Sequence, residues 1–168
     1  MKKFKTILYA ASILGAMTLA SCTDLTENIY SELTKDNYYI DPQSVESAVV
    51  RCYEHSDNVA WRGDIWKLQE LTADHFVWTQ KGRHGYDDGM WIRLHEHKWN
   101  YIQSQINGAW VSSYQCISQI NTVLRDMNTL DFSSIGVSEE DKAAYFGELR
   151  VLRAWYYMFL LDFFRQVP

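Results

Sequence analysis

Basic charge is scarce in this chain. Sixteen Lys and Arg stand against 21 Asp and Glu. A nucleic-acid partner is therefore not expected, because counterion release needs grouped Lys and Arg along a phosphate backbone. Catalytic signatures are missing too. No Gly-x-Ser-x-Gly elbow, phosphate-cradling glycine loop or dinucleotide fingerprint occurs in the 168 residues. Long hydrophobic runs are also lacking: the longest N-terminal apolar stretch has about fourteen residues, where a membrane-spanning helix needs about 20. Cysteine is limited to Cys22, Cys52 and Cys116. Charged residues make up only 22%, whereas aromatics reach 15% with seven Trp and eleven Tyr. That excess of large rings excludes disorder and suits both buried interfaces and wet binding surfaces.

The N-terminus has the layout of a secretory signal. Lys2, Lys3 and Lys5 form a cationic start, Thr6 to Leu19 an apolar segment, and Leu19-Ala20-Ser21 leads into Cys22. Small residues followed by cysteine make a lipobox, so residues 1–21 are expected to be a cleaved lipoprotein signal peptide with Cys22 as the lipidation site. Two or more acyl chains, at about 0.8 kcal/mol per buried methylene, anchor a protein stably where one does not. Cleavage leaves 13 basic against 21 acidic residues, a net of −8. Thr23 after the cysteine offers no obvious inner-membrane retention signal. Cys52 and Cys116 lie on apolar helix faces, and two buried thiols are expected there in preference to a disulfide.

Residues 22–40 read as a polar tether and 41–168 as the folded part. Asp41 as N-cap and Pro42 at the first position start a helix whose Val45, Ala48, Val49, Cys52 and Tyr53 share a face. From Ser56 to Tyr101 the periodicity breaks up around Gly63, Gly82, Gly85 and Gly89. A short helix is expected over Trp66 to Val77, and otherwise long loop, a length rare without a function. A second helix is expected from about Gly108, capped near Asn107, to Met127, with Trp110, Tyr114, Ile117, Ile120, Val123, Leu124 and Met127 on one stripe. Ser138, with Asp141 three residues on, starts a third, from about Glu139 to Phe164. Its segment Ala154 to Leu161 is apolar on every side, and a helix of that kind is buried all round. With the sequence ending at Pro168, the expectation is a fragment whose covering elements lie further C-terminal.

Gly147-Glu148-Leu149-Arg150-Val151-Leu152-Arg153-Ala154-Trp155, continuing to Asp162-Phe163-Phe164-Arg165-Gln166-Val167-Pro168, resembles the block that marks SusD/RagB lipoproteins. The lipobox, Val50-Arg51-Cys52-Tyr53, Gln69-Glu70-Leu71-Thr72-Ala73-Asp74 and the Trp110 to Leu124 helix agree with it. Departures are Val151, where an aromatic is usual, and Arg165, where glycine is usual. The resemblance implies an all-α fold, a SusD-like core of tetratricopeptide-like helix pairs with long irregular loops, of which 41–168 is the N-terminal part. It further implies a cell-surface lipoprotein of the outer membrane that binds glycan, or another nutrient such as peptide, and delivers it to a SusC-like TonB-dependent transporter. On this view the chain is a binder and not an enzyme, without cofactor. The alternative is a helical-repeat scaffold lipoprotein that contacts only proteins.

Glycans stack their C–H faces on flat rings and give their hydroxyls to amide and guanidinium groups. Trp78, Gln80, Arg83, His84, Tyr86 and Trp91 supply that mix in one glycine-rich loop, with Arg62 in an earlier one. In the family the corresponding site follows the segment matching Glu70 to Asp74, which places its platform ring near Trp78 or Gln80. His95-Glu96-His97 shows only two ligands of the three or four that zinc requires, and no metal is expected. Asp87-Asp88-Gly89 reads as a solvated turn.

Overall fold

The computed structural model describes residues 34–54, 56 and 63–168. The expectations for the signal peptide, Cys22 and Arg62 lie outside these residues. The chain is all-α. Helices run over Lys35–Tyr38 (α1), Pro42–Tyr53 (α2), Asp64–Leu71 (α3), Met90–His95 (α4), Ser104–Met127 (α5) and Glu139–Phe164 (α6). None of them is long and apolar enough to cross a membrane.

Local capping explains where α2 and α6 begin. The Asp41 carboxylate accepts the Ser44 N–H at 2.8 Å while Ser44 Oγ accepts the Asp41 N–H at 3.2 Å, and Pro42 occupies the first turn, where no N–H partner exists. At Ser138 the hydroxyl accepts the Asp141 N–H at 3.0 Å and donates to the Asp141 carboxylate at 2.6 Å. The Asp141 carboxylate thus answers the cap by accepting from the Ser138 hydroxyl and not from the Ser138 backbone N–H. Asp131 shapes the connector before α6. Its carboxylate takes the hydroxyl and N–H of Ser133, which hold its pKa below the usual carboxylate value.

Two expected boundaries move. The tether expected to reach residue 40 gives way by Lys35: α1 forms one helical turn, and Tyr39 packs into the core with its ring edge on Tyr38 at 4.9 Å. A four-residue helix is too short to show a period. α5 begins at Ser104, before the expected Gly108, because Gln103 and not Asn107 precedes its first turn and is held by its amide donating to the Met90 carbonyl at 2.9 Å.

α5 and α6 form the spine. Trp110 meets Phe164, Tyr114 meets Tyr157 and Arg153 donates to Asn121 at 2.7 Å, a register that runs in opposite directions and makes the pair antiparallel. On one flank α2 adds Val45, Val49 and Cys52 to Cys116, Ile120, Leu149, Tyr156 and Leu160. Tyr53, expected on the same face, is instead 40% exposed, with its hydroxyl 3.4 Å from Glu148. On the other flank α3 and α4 set Ile65, Leu68, Leu71, Trp91 and Leu94 against Ala109 and Phe159. Burial drives both flanks, at roughly 1.5–3 kcal/mol per fully buried Leu, Ile or Val side chain.

Cys52 and Cys116 are free and buried. Burial pushes the Cys52 thiol up to about 11 and raises that of Cys116. The Tyr156 hydroxyl, buried beside them, has no hydrogen bond of good geometry among the described residues. The all-round burial expected for Ala154 to Leu161 is not found: Tyr156, Phe159 and Leu160 are buried, but Met158 and Leu161, with Val151 before them, are exposed. Among the described residues α2, α3 and α5 cover only one side of that helix.

Candidate functional site

The segment expected to continue α3 to Val77 turns away at Thr72. Its hydroxyl donates to the Leu68 carbonyl at 2.7 Å and so shares that acceptor with the Thr72 N–H, whose bond is stretched to 3.4 Å at the helix end. Phe76 then sets its edge against Trp66 at 5.9 Å, and residues 76–80, outside any helix or strand, lead into a two-residue hairpin. Lys81 N–H donates to the His84 carbonyl at 2.8 Å and His84 N–H to the Lys81 carbonyl at 3.0 Å. Gly82, at φ 60, is the first central residue, as a II′ turn requires. The Gln80 amide braces the turn by donating to the Gly82 carbonyl at 2.9 Å.

Gly85 is needed for a second reason. At φ 79 a Cβ there would lie 3.0 Å from Trp78 Nε1, so the hairpin backbone lies against the indole. Trp78 stacks on Trp91 with ring centroids 5.1 Å apart and planes 20° from parallel. The two rings differ in role. Trp78 remains 39% exposed, whereas Trp91 is 8% exposed and donates its Nε1 hydrogen to Asp87 Oδ2 at 2.5 Å. Trp91, expected at the ligand face, is therefore the buried support under Trp78. That support extends into the scaffold. The Lys67 ammonium lies 5.8 Å from the Trp91 ring and pairs with Asp64 at 3.0 Å. Asp64 in turn rests on Gly108, where any Cβ would overlap its Oδ2.

Asp87, Asp88 and Gly89 all adopt left-handed φ (41, 54 and 70°) in the turn before α4. The two aspartates cost roughly 1–2 kcal/mol each in that conformation. The Asp87–Trp91 bond, the Gly89 N–H to the Tyr86 carbonyl at 2.6 Å and the Arg93 guanidinium on the Asp88 carbonyl hold the turn closed. Tyr86, just before it, is 57% exposed.

Together these segments frame an open cleft of about 450 Å³ lined by Phe76, Val77, Trp78, Thr79, Lys81, His84 and Gly85. Of the residues singled out in the sequence, Trp78 and His84 line it and Arg83 stands at the hairpin tip. Gln80 is occupied in bracing the turn, Tyr86 stands next to the hairpin, and Trp91 lies below. Phe76, Val77 and Lys81 were missed. Their signal was Gly82-Arg83 between two residues able to pair as a hairpin, which puts Lys81 beside His84. His95, Glu96 and His97 do not alternate along a strand. His95 ends α4, and His97, at φ 55, places Nε2 2.7 Å from the Thr72 carbonyl.

A helical scaffold that presents a ring beside an open cleft describes a binding protein. Residues 18–168 match a SusD-like family model described as starch-binding and associating with the outer membrane. The chain belongs to the SusD-like family. No curated protein and no solved structure matches it.

Proposed function

We propose that this chain is a lipoprotein of the outer-membrane surface, anchored through acylated Cys22, that captures a glycan or other nutrient and delivers it to a SusC-like TonB-dependent transporter. The observation that carries the reading is Trp78: a partly exposed indole, stacked on a buried second indole, at the wall of a cleft large enough for a short oligosaccharide. The family's description as starch-binding supports a sugar ligand, and the lipobox at Cys22 supports the anchor. Binding and not catalysis is the role assigned, since a sugar ring lying on Trp78 meets a ring face with the Thr79 hydroxyl and the Lys81 cation beside it. Affinity electrophoresis of the full-length protein through starch and other polysaccharides tests this. Retardation that Trp78→Ala abolishes while the variant still melts cooperatively is expected. Migration unaffected by every polysaccharide, or equal retardation of the variant, contradicts the reading.

A further inference from the structure

The cleft wall carries a close group of cations with no carboxylate among its lining residues. Six cations elsewhere among the described residues sit beside carboxylates, Arg51 with Glu54, Lys67 with Asp64, Arg93 with Asp88, Lys98 with Glu96, Arg125 with Asp126 and Lys142 with Glu139, while Arg150 lies over the Phe146 ring and Arg153 is held by Asn121. Lys81 and Arg83 have no carboxylate partner among the described residues, and both are exposed. His84 follows directly, and from His75 to Tyr86 the sequence contains no Asp or Glu. None of the cleft-lining residues is acidic. The closest acids in sequence are otherwise engaged, Asp87 by the Trp91 indole and Asp88 by Arg93 at 3.9 Å.

Hairpin geometry concentrates these groups. Lys81 and His84 are paired across the turn, so their side chains leave the same face with Cβ atoms about 5 Å apart. Arg83 lies between them at the tip. Carboxylate or sulfate oxygens are what such a set accommodates. A guanidinium takes two oxygens through its fork and an ammonium takes one as a point charge, and these charge-assisted bonds are about twice as strong as neutral ones. A neutral glucan would leave the cations without a counterpart.

Resting on the glycan-binding reading above, we infer that the ligand of this cleft is an acidic glycan, bearing uronate carboxylates or sulfate esters, which lays one ring on Trp78 and sets its anionic groups among Lys81, Arg83 and His84. Such recognition is local, because the chain as a whole has a net charge of −5 and repels polyanions.

The test is affinity electrophoresis of the full-length protein in gels containing polygalacturonate, its carboxyl-reduced neutral form, carrageenan or starch. Retardation by polygalacturonate identifies a uronate ligand and by carrageenan a sulfated one. In either case the neutral gels are expected to retard the protein at least about tenfold more weakly, and added salt to weaken the acidic interaction. Arg83→Ala and Lys81→Ala are each expected to lose on the order of tenfold in affinity for the acidic polymer, with Arg83→Lys recovering part of the loss. Retardation by starch or the reduced polymer as strong as by the acidic ones overturns the acidic class. If Trp78→Ala abolishes that retardation, the glycan reading survives alone. Full acidic affinity in both alanine variants also overturns the inference. Retardation in none of the four gels overturns it together with the reading on which it rests.

Discussion

The flank built by α2, α5 and α6 and the segment between α3 and α5 use aromatic residues in opposite ways. On the flank, rings are absorbed by a continuous apolar surface: Tyr156 is buried with no well-formed hydrogen bond for its hydroxyl among the described residues, and Tyr39 is buried in the same cluster. In the 72–103 segment several rings are held by specific partners, Trp78 by Trp91, Trp91 by Asp87, Phe76 by Trp66 and Trp99 by His97 at 5.4 Å, while Tyr86 and Tyr101 stand exposed. A core made of many interchangeable contacts is robust to where any one ring points. A surface made of single contacts fixes ring direction, which is what a binding face needs.

The contrast is broken most severely from the core side. Leu160→Ala removes a fully buried side chain of α6 and is expected to lower unfolding free energy by about 2–5 kcal/mol, read by denaturant titration. The same variant should keep the ligand affinity of its folded fraction. An affinity loss at temperatures where it stays folded would show that the two regions are not separable.

Trp78→Ala attacks the other side. It is expected to cost on the order of 1–3 kcal/mol of binding, roughly tenfold to a hundredfold, in a glycan titration. Because Trp78 covers Trp91, the melting temperature should fall as well, though by less than in Leu160→Ala. Arg83→Ala, at the exposed hairpin tip, should leave melting unchanged and so separates ligand contact from support.

Gly108→Ala tests the link between the regions. Alanine favours a helix by roughly 0.5–1 kcal/mol over glycine. Here the methyl group would displace Asp64 and with it Lys67 beside Trp91. The expected outcome is a net loss of about 1–3 kcal/mol with an altered near-UV dichroism signal from the stacked indoles. A stabilised variant with an unchanged signal would show that α5 does not position the pair.

Smaller effects concern the thiols and the end of α6. Cys52 ionises at about 11 in the folded chain against an ordinary 9.0, because burial disfavours the thiolate. Its contribution to stability is thus present in full below pH 9 and lost as pH rises through 11, measurable as a falling denaturation midpoint. Native Cys52 and Cys116 should resist alkylation at pH 8 until the chain is unfolded. Arg165 stands at φ 64, which explains why glycine is usual there. Arg165→Gly should therefore stabilise by at most about 1 kcal/mol, and destabilisation would mean that the arginine side chain supports the turn.

Much of the fold was legible because its signals are local. Asp41-Pro42 and Ser138-x-x-Asp141 mark helix starts through hydrogen bonds made within one turn, and the α2 and α5 stripes follow the 3.6-residue period. For the same reason α6 was readable from Glu139 to Phe164. The site was less legible. Two tryptophans in one glycine-rich loop look alike in sequence, yet one is a platform and the other its foundation. Lys81 escaped notice because only the pairing with His84 brings it to the cleft wall.

By itself the sequence determined the all-α class, the three long helices and the family, since caps, apolar periods and motif residues act over a few positions. Tertiary structure alone decided that Tyr39 belongs to the core, that position 108 leaves no room for a Cβ beside Asp64, and that Trp78 and not Trp91 faces solvent. Each of those outcomes depends on contacts between segments distant along the chain, such as Trp78 with Trp91 or Asp64 with Gly108, and no local pattern encodes which ring ends on top.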